Sequence, residues 1–433
     1  MSRRIYFGAV IAALLVSPLN VSAVSDTDLQ TLREQVQQLE QRVNQQFNAA
    51  QPAPVVAAAG GEGAFNPAIS LILGGTYGTL QQDLTVPATG FAMNPNPGHE
   101  QGFNLGESEL GISANIDPQF RGVATIALDP AGAISVENAF VQSSVLDHGL
   151  KLKFGRYFSG LGYLNELHAH AWDFVDQPLV YAALWGNQSG DDGVQLKWLA
   201  PTDMFVEVGG EIGRGRGFPG TDTVRNGNGA GVLFAHIGDD IGIEQSWRAG
   251  LSLHQTKRAN AVSDAVPDLL NTAGGVSNSF SGDSQTSGVD IIWKYAPNGN
   301  LRDRYVKLQG EYFRRKESGL LTYNLATTDS YAVTQSGWYL QGVYQFMPHW
   351  RTGLRYDSLD PGIAAVGALN TGNVISNYGY RPSRTTLMVD YSPSEFSRLR
   401  LQLARDNTRQ GLAGNQLFVQ YIMSLGAHGA HQY

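Results

Sequence analysis

Apolar and polar residues alternate with a period of two along most of the chain after residue 66. The alternation is clear at Val289, Ile291, Trp293 and Tyr295, which fall on one face of an extended segment. Such alternation predicts β-strands with one apolar and one polar face. The predicted strands are sixteen in number and lie near 68–78, 103–116, 120–128, 133–142, 150–157, 192–200, 203–212, 229–237, 242–255, 285–296, 301–314, 336–346, 349–358, 384–392, 396–406 and 416–425.

The connections between these strands alternate between compact turns and long polar stretches. The compact turns are Asp117-Pro118, Pro201-Thr202, Gly238-Asp239-Asp240, Pro297-Asn298-Gly299-Asn300, Met347-Pro348 and Ser392-Pro393-Ser394. The long stretches lie around 79–102, 158–190, 213–228, 256–284, 315–335 and 359–383. An even strand number with this alternation is typical of outer-membrane barrels, which have short periplasmic turns and long outer loops.

The predicted fold class is therefore all-β, a transmembrane antiparallel β-barrel of about 16 strands, with a short N-terminal coiled-coil helix. A soluble β-sandwich or several small β-domains would be the alternative, but either would leave the apolar rows uncovered. After residue 23 no apolar run approaches the roughly 20 residues that a membrane-spanning helix needs, so insertion would require a closed sheet.

The chain before the barrel has two patterned segments, followed by a linker. Arg3 and Arg4 precede an apolar run and small residues up to Ala23, which predicts a signal peptide. Leu and Val then recur at heptad spacing, which predicts a coiled coil, with a solvated amphipathic stalk as the alternative. The predicted divisions are the signal peptide at 1–23, the coiled-coil helix at 24–47, a linker at 48–65, the barrel at 66–426 and a C-terminal periplasmic tail at 427–433. Both the helix and the tail are expected in the periplasm, below a barrel in the cell outer membrane.

Composition narrows the function classes. The chain has no cysteine, so neither disulfides nor thiolate sites are available. Once the two leader arginines are removed, 28 basic residues face 38 acidic ones, and this balance argues against a nucleic-acid partner. A G-x-S-x-G nucleophile elbow is missing from the sequence, so an enzyme is not expected. An outer-membrane enzyme or a structural tether remains a second alternative function.

Charged residues recur at the positions opposite the apolar rows. Those predicted to line a pore are Glu107, Glu109, Lys151, Lys153, Arg156, Lys197, Glu207, Arg248, Lys307, Arg351, Arg355, Arg398 and Arg400. Ionised groups in a dry core would each cost several kcal/mol, so the inward face predicts a water-filled lumen. Acids on early strands and arginines on late ones predict a transverse field with weak ion selectivity. Alternatively, many of these charges pair with each other as part of the wall.

The stretch 158–190 is too apolar and aromatic for an exposed loop, and we expect it to fold inward as the constriction. The residues predicted to form the constriction are Tyr163, Glu166, Trp172, Asp173 and Asp176. His168 and His170 lie among these acids and supply ligand types that suit zinc. The His-x-His pattern is a weak signal, and hydrogen-bonded packing of both histidines is the alternative.

Several passages resemble Gram-negative outer-membrane porins, in particular the phosphate-selective porin O/P-like group with an N-terminal coiled coil. They are LKLKFGRYFSG at 150–160, ESELGI at 107–112 and VENAFV at 136–141. Closer similarity, in NPAISLIL at 66–73, in GYLNELHAHAWDFVDQPLVY and in the ending SLGAHGAH, is to a porin-like family sometimes associated with zinc uptake. The chain departs from the phosphate-selective pattern because its predicted constriction carries acids as often as basic residues.

The resemblance implies a homotrimer in outer-membrane lipid that lets small polar or ionic solutes diffuse through a water-filled channel. The alternative is a zinc-linked receptor or zinc-selective channel; no cofactor is expected apart from this possible zinc.

Overall fold

The computed structural model describes residues 67–426 apart from the stretches 82–87, 93–99, 130–131, 144–145, 222–227 and 264–275. The signal peptide, coiled coil, linker and C-terminal tail lie outside the described residues. They therefore remain predictions.

The described residues form one antiparallel sheet that closes on itself, because the first strand pairs with the last from Ser70↔Gly426 to Leu80↔Gln416. The strands, numbered β1 to β18 in chain order, are Ala68–Leu80, Gly102–Leu105, Ser108–Asn115, Phe120–Leu128, Ile134–Ser143, Leu150–Phe158, Gly190–Leu199, Phe205–Gly213, Ala230–Ile241, Gln245–Ser263, Asn278–Tyr295, Tyr305–Tyr323, Thr327–Met347, Trp350–Asp360, Ala365–Val366, Ser383–Ser394, Ser397–Arg409 and Leu412–Gly426.

The eighteen segments make up sixteen strands of the barrel wall. Both β2 and β3 pair with β1, so they form one strand that is interrupted at Gly106 and Glu107. The two-residue β15 belongs to the connection between β14 and β16 and pairs with β13. The structure thus confirms the predicted fold class, a closed antiparallel barrel of 16 strands.

Helical structure is sparse in the part of the chain that the structure describes. One α-helix, α1, spans Leu179–Trp185, and short 3₁₀ turns occur at Asp147–Gly149, Ala169–Ala171, Pro297–Gly299 and Ala368–Asn370. No helix among the described residues has both the length and the apolar character needed to cross a membrane.

The two faces of the wall differ as the alternation predicts. Ile291 and Leu399 are 55% and 51% exposed on the outer face. On the inner face, Gln309 and Arg355 are each 1% exposed. Since the same strands carry both sets, the period of two orders the whole wall into an apolar outside and a polar inside.

The prediction of a long loop at 315–335 is wrong. Strands β12 and β13 stay paired up to Tyr323↔Thr327, and only 324–326 make the turn. Asn324 and Leu325 have positive φ values of 47° and 55°, as expected for a tight hairpin turn. Polar residues occupy both faces of this extension, so its apolar alternation disappears although its backbone hydrogen bonds continue. In the predicted loop at 256–284, β10 likewise continues to Ser263 and β11 begins at Asn278.

Two predicted turns are displaced along the chain. Asp239 and Asp240 lie within β9, and the turn follows at 242–244. Ser392–Ser394 ends β16, and the turn lies at 395–396. Turn-forming residues at the end of a strand can still take part in pairing, so they locate the boundary only to within a few residues.

Candidate functional site

The connection between β6 and β7, residues 159–189, packs against the inside of the barrel wall; we call it the inner loop. Its ends are adjacent, since the backbone N–H of Ser159 donates to the carbonyl of Ser189 over 2.9 Å. Within it, α1 follows Pro178 and ends at Gly186, whose φ of 77° is the left-handed conformation that terminates many helices. All seven residues of α1 are buried, against wall residues that include Phe313, Tyr339 and Leu359.

Glu311 on β12 is the central anchor of the inner loop. Its carboxylate accepts hydrogen bonds from the backbone N–H groups of Tyr163 and Leu164, both over 3.1 Å. It also accepts from the hydroxyls of Tyr181 and Tyr339, over 2.8 and 2.5 Å. Four donors on one buried carboxylate position the start of the inner loop and α1 together.

Basic residues of β12, β14, β16 and β17 hold the middle of the inner loop. Asp173 pairs with Lys307 at 2.5 Å and with Arg351 at 3.2 Å. Asp176 pairs with Arg355 at 2.9 Å and with Arg384 at 2.6 Å. The carbonyl of Trp172 accepts from Arg400 over 2.8 Å and from Arg398 over 3.3 Å.

The opposite part of the wall meets the inner loop with acids and lysines. Glu166 pairs with Lys197 at 3.1 Å and with Lys153 at 4.0 Å. The Nδ1 atom of His168 lies 2.7 Å from Glu137 and 3.3 Å from Glu109. The Nδ1 atom of His170 lies 2.7 Å from Glu109. The inner loop therefore spans between an arginine-rich sector and a glutamate-rich sector of the wall.

These partners shift the pKa values of two inner-loop side chains, Asp173 and His168. Burial by itself would raise the pKa of Asp173, but Lys307 and Arg351 outweigh burial and hold that pKa well below its usual range. Burial would lower the pKa of His168, but its hydrogen bonds to Glu109 and Glu137 raise the pKa to about 10. For both side chains the contacts with the wall outweigh burial, so these contacts contribute to docking of the inner loop.

Most residues predicted to line a pore contact the inner loop or each other. Those that contact the inner loop are Glu109, Lys153, Lys197, Arg248, Lys307, Arg351, Arg355, Arg398 and Arg400. Arg248 does so by donating to the carbonyl of Gly162 over 3.2 Å. Glu207 pairs with Lys197 at 3.6 Å, Glu107 is half-buried next to Glu109, and Lys151 is exposed near the start of β6.

Arg156 was predicted to line the pore, but the structure places it on the outer face of the barrel. It shares its strand face with Phe154, which is 39% exposed on the outer wall, and it pairs with Asp192 over 2.7 Å. The pairing register of β6 with β7 places both charged residues on that face. Arg156 is therefore not in the lumen.

The sequence did not predict several residues that hold the inner loop. Glu311 shares the inward face with Lys307, so the period of two could have found it. Arg384 lies near the start of β16 on the same inward face as Asp390, so the period of two could have found it as well. The acids near the two histidines in sequence are also not their partners, because Glu166, Asp173 and Asp176 pair with basic residues while Glu109 and Glu137 come from the wall.

Comparisons with known proteins agree with this architecture. No family model matches the chain. A protein of Aquifex aeolicus (strain VF5), described as uncharacterized, is 29% identical over 408 residues, which cover 86% of this chain and 80% of the relative.

Two solved structures have a similar fold. In-vitro folded OmpT, an outer membrane protein of Vibrio cholerae, has a TM-score of 0.50 at 13% identity, covering 83% of this chain and 97% of OmpT. The anion-selective porin from Comamonas acidovorans has a TM-score of 0.50 at 12% identity, covering 83% and 99%. The chain thus has a porin-like fold.

Proposed function

We propose that this protein is an outer-membrane porin, a water-filled channel for passive diffusion of small polar or ionic solutes, and that the inner loop is its constriction. The observation that carries the proposal is the inner loop itself, held across the barrel between Arg351, Arg355 and Arg400 on one sector and Glu109 and Glu137 on the other. Any solute that crosses the barrel has to pass this charged segment.

The mixed sign of the constriction supports weak ion selectivity. Acidic and basic side chains both contribute to it, and many are neutralised by direct ion pairs. Opposed charges order water and favour polar over apolar solutes, but they give neither sign of ion a large advantage. We further propose self-association as a trimer in outer-membrane lipid, with both termini in the periplasm, and no enzymatic activity.

The test is the conductance of the purified, detergent-folded protein in a planar bilayer, compared with a variant in which a four-residue Gly-Ser linker replaces 161–187. The hydrogen bond between Ser159 and Ser189 shows that a short linker can join Gly160 to Gln188 without moving the strands. We expect stable steps for the natural chain, several-fold larger steps for the variant, and a small reversal potential in a salt gradient. If neither protein conducts, the porin function is wrong. If both conduct equally, the inner loop is not the constriction.

A zinc-linked receptor or zinc-selective channel is the second candidate. The observation that favours it is the approach of His168 and His170 to two wall glutamates. Zinc on one side of the same bilayer distinguishes the two functions, because a zinc-selective channel would develop a reversal potential set by the zinc gradient.

A further inference from the structure

Glutamates and histidines converge where the inner loop meets β3 and β5. Ligand atoms of Glu109, Glu137 and His168 all lie within 4.8 Å of one another. His170 stands outside that group of three, but its Nδ1 atom lies 2.7 Å from Glu109. The two imidazole rings are nearly parallel, 18° apart with centroids separated by 5.8 Å. Both present Nδ1 to the Glu109 carboxylate.

This contact differs from the other charged contacts of the inner loop. Glu166, Asp173 and Asp176 each pair with lysine or arginine. Among the described residues, neither Glu109 nor Glu137 has an ion pair with lysine or arginine, and histidines are their partners instead.

Glu107 supplies a second, independent indication that a cation is accommodated here. It lies next to Glu109, and its Oε1 atom is buried without a hydrogen-bond partner. A buried carboxylate oxygen without a donor is costly, and a bound cation is one of the groups that satisfies it. Glu107 thus lies beside two carboxylates that, among the described residues, pair with histidine instead of lysine or arginine.

The chemistry of the donor set suits a tetrahedral metal ion. Two imidazole nitrogens and two carboxylate oxygens are ligand types that zinc prefers, at about 2.0–2.2 Å from the ion. Tetrahedral bonds of that length separate neighbouring ligand atoms by about 3.3 Å. The present separations of 2.7 and 3.3 Å lie at or below this value, so the ligand atoms would have to move apart by up to about 0.6 Å to surround an ion.

The surroundings of His168 are also those of a metal ligand. Its other ring nitrogen, Nε2, lies 2.8 Å from the side-chain amide of Asn138. Ligating histidines usually have such a partner on the second nitrogen, which fixes the ring orientation. Asn138 can serve either tautomer of His168, since exchanging its amide nitrogen and oxygen changes it from donor to acceptor.

We propose that Glu109, Glu137, His168 and His170 bind one divalent transition-metal ion of the zinc class, which ties the inner loop to β3 and β5. The ion joins two residues of the loop to two residues of the wall, so its binding strengthens the docking of the loop. Metal binding by itself does not depend on channel activity. Its effect on conductance rests on the proposed function.

The experiment is titration of the full-length, detergent-folded and chelator-treated protein with zinc chloride, followed by calorimetry. We expect one zinc per chain at micromolar concentration, and loss of this site in the double variant His168→Ala, His170→Ala. Asn138→Ala should weaken binding roughly 10- to 100-fold, as is usual for partners of metal ligands. The matched control replaces His428 and His431 by alanine, which removes two histidines of the tail and should leave the site intact.

A second readout separates a metal site from a simple hydrogen-bonded contact. Zinc should protect the inner loop from limited proteolysis in the natural chain and in the tail variant, but not in the double variant. The proposal is overturned if the natural chain binds no zinc at micromolar concentration, or if the double variant binds as well as the natural chain. Retention of heat-modifiable gel mobility shows that each variant is folded. A chain that conducts but binds no zinc would refute this site alone.

Discussion

At the scale of single residues, buried ion pairs determine where the inner loop lies. Asp176 is 3% exposed and sits between Arg355 and Arg384, whose side chains are 1% and 0% exposed. Burial of a charge is tolerated only with a partner, so removal of one partner leaves a large penalty on the other. Asp176 is therefore a residue at which a one-atom change has a large effect.

We predict that Asp176→Asn lowers the free energy of unfolding by about 3–5 kcal/mol, the usual cost of breaking a buried pair. The shape of the side chain is preserved, so the loss comes from the charge facing Arg384 and Arg355. Urea unfolding of the protein in lipid vesicles measures the change.

The matched control for that prediction is Asp360→Asn. Asp360 also pairs with an arginine at 2.9 Å, but the side chains of Arg381 and Asp360 are 75% and 40% exposed. Exposed pairs contribute about 0–1 kcal/mol. Equal losses for the two variants would contradict the assignment of Asp176 as an anchor.

At the scale of elements, the position of the inner loop depends on close contact between its backbone at Gly162 and the side chains of Glu311 and Tyr181. Gly162 has a φ of 65°, and a Cβ added there would lie 2.3 Å from the Glu311 carboxylate and 2.7 Å from the Tyr181 hydroxyl. These two groups belong to the network that anchors the loop and α1. A side chain at position 162 would thus separate the loop from its anchor without touching the strand ladder.

We predict that Gly162→Val makes the inner loop cleavable by added protease while the barrel remains folded. The control, Gly379→Val, has a similar φ of 60° but open space around the new Cβ. Both variants carry the same backbone strain, about 1–2 kcal/mol, so only the collision differs. Intact loops in both variants after proteolysis, analysed by mass spectrometry, would count against the anchoring role of Glu311.

At the scale of the whole molecule, closure of the barrel depends on the pairing of β1 with β18. Gly75 lies directly opposite Tyr421, and a Cβ at position 75 would come within 2.2 Å of the tyrosine ring. The ring therefore covers the glycine across the seam, an arrangement known to compensate for glycine in strands.

We predict that Gly75→Val lowers the yield of folded barrel by several-fold, because the collision lies where the last strand must join the first. The control is Gly231→Val in β9, where a new Cβ would have only ordinary contact at 3.7 Å. The folded fraction is measured as the heat-modifiable band after refolding in detergent. Equal yields would show that the seam accommodates the extra volume.

Sequence periodicity predicted the wall well and the inner loop less well. All sixteen strands appear because alternation repeats over short segments, and each segment needs only its own residues to show it. The extension of β12 and β13 was missed because polar residues on both faces of a strand show no period. The error at Arg156 has a related cause, since one residue of register exchanges the two faces.

The sequence by itself determined the barrel class, the number of strands, the placement of charged residues on the inward face of the strands and the unusual apolar character of residues 158–190. Only the tertiary structure decided which charges meet. Glu109 and His170 are 61 residues apart, and Asp176 and Arg384 are 208 apart, yet each pair lies in direct contact. The physical reason is that alternation is a local property of one strand, whereas ion pairs across a closed barrel depend on the register of every strand between them.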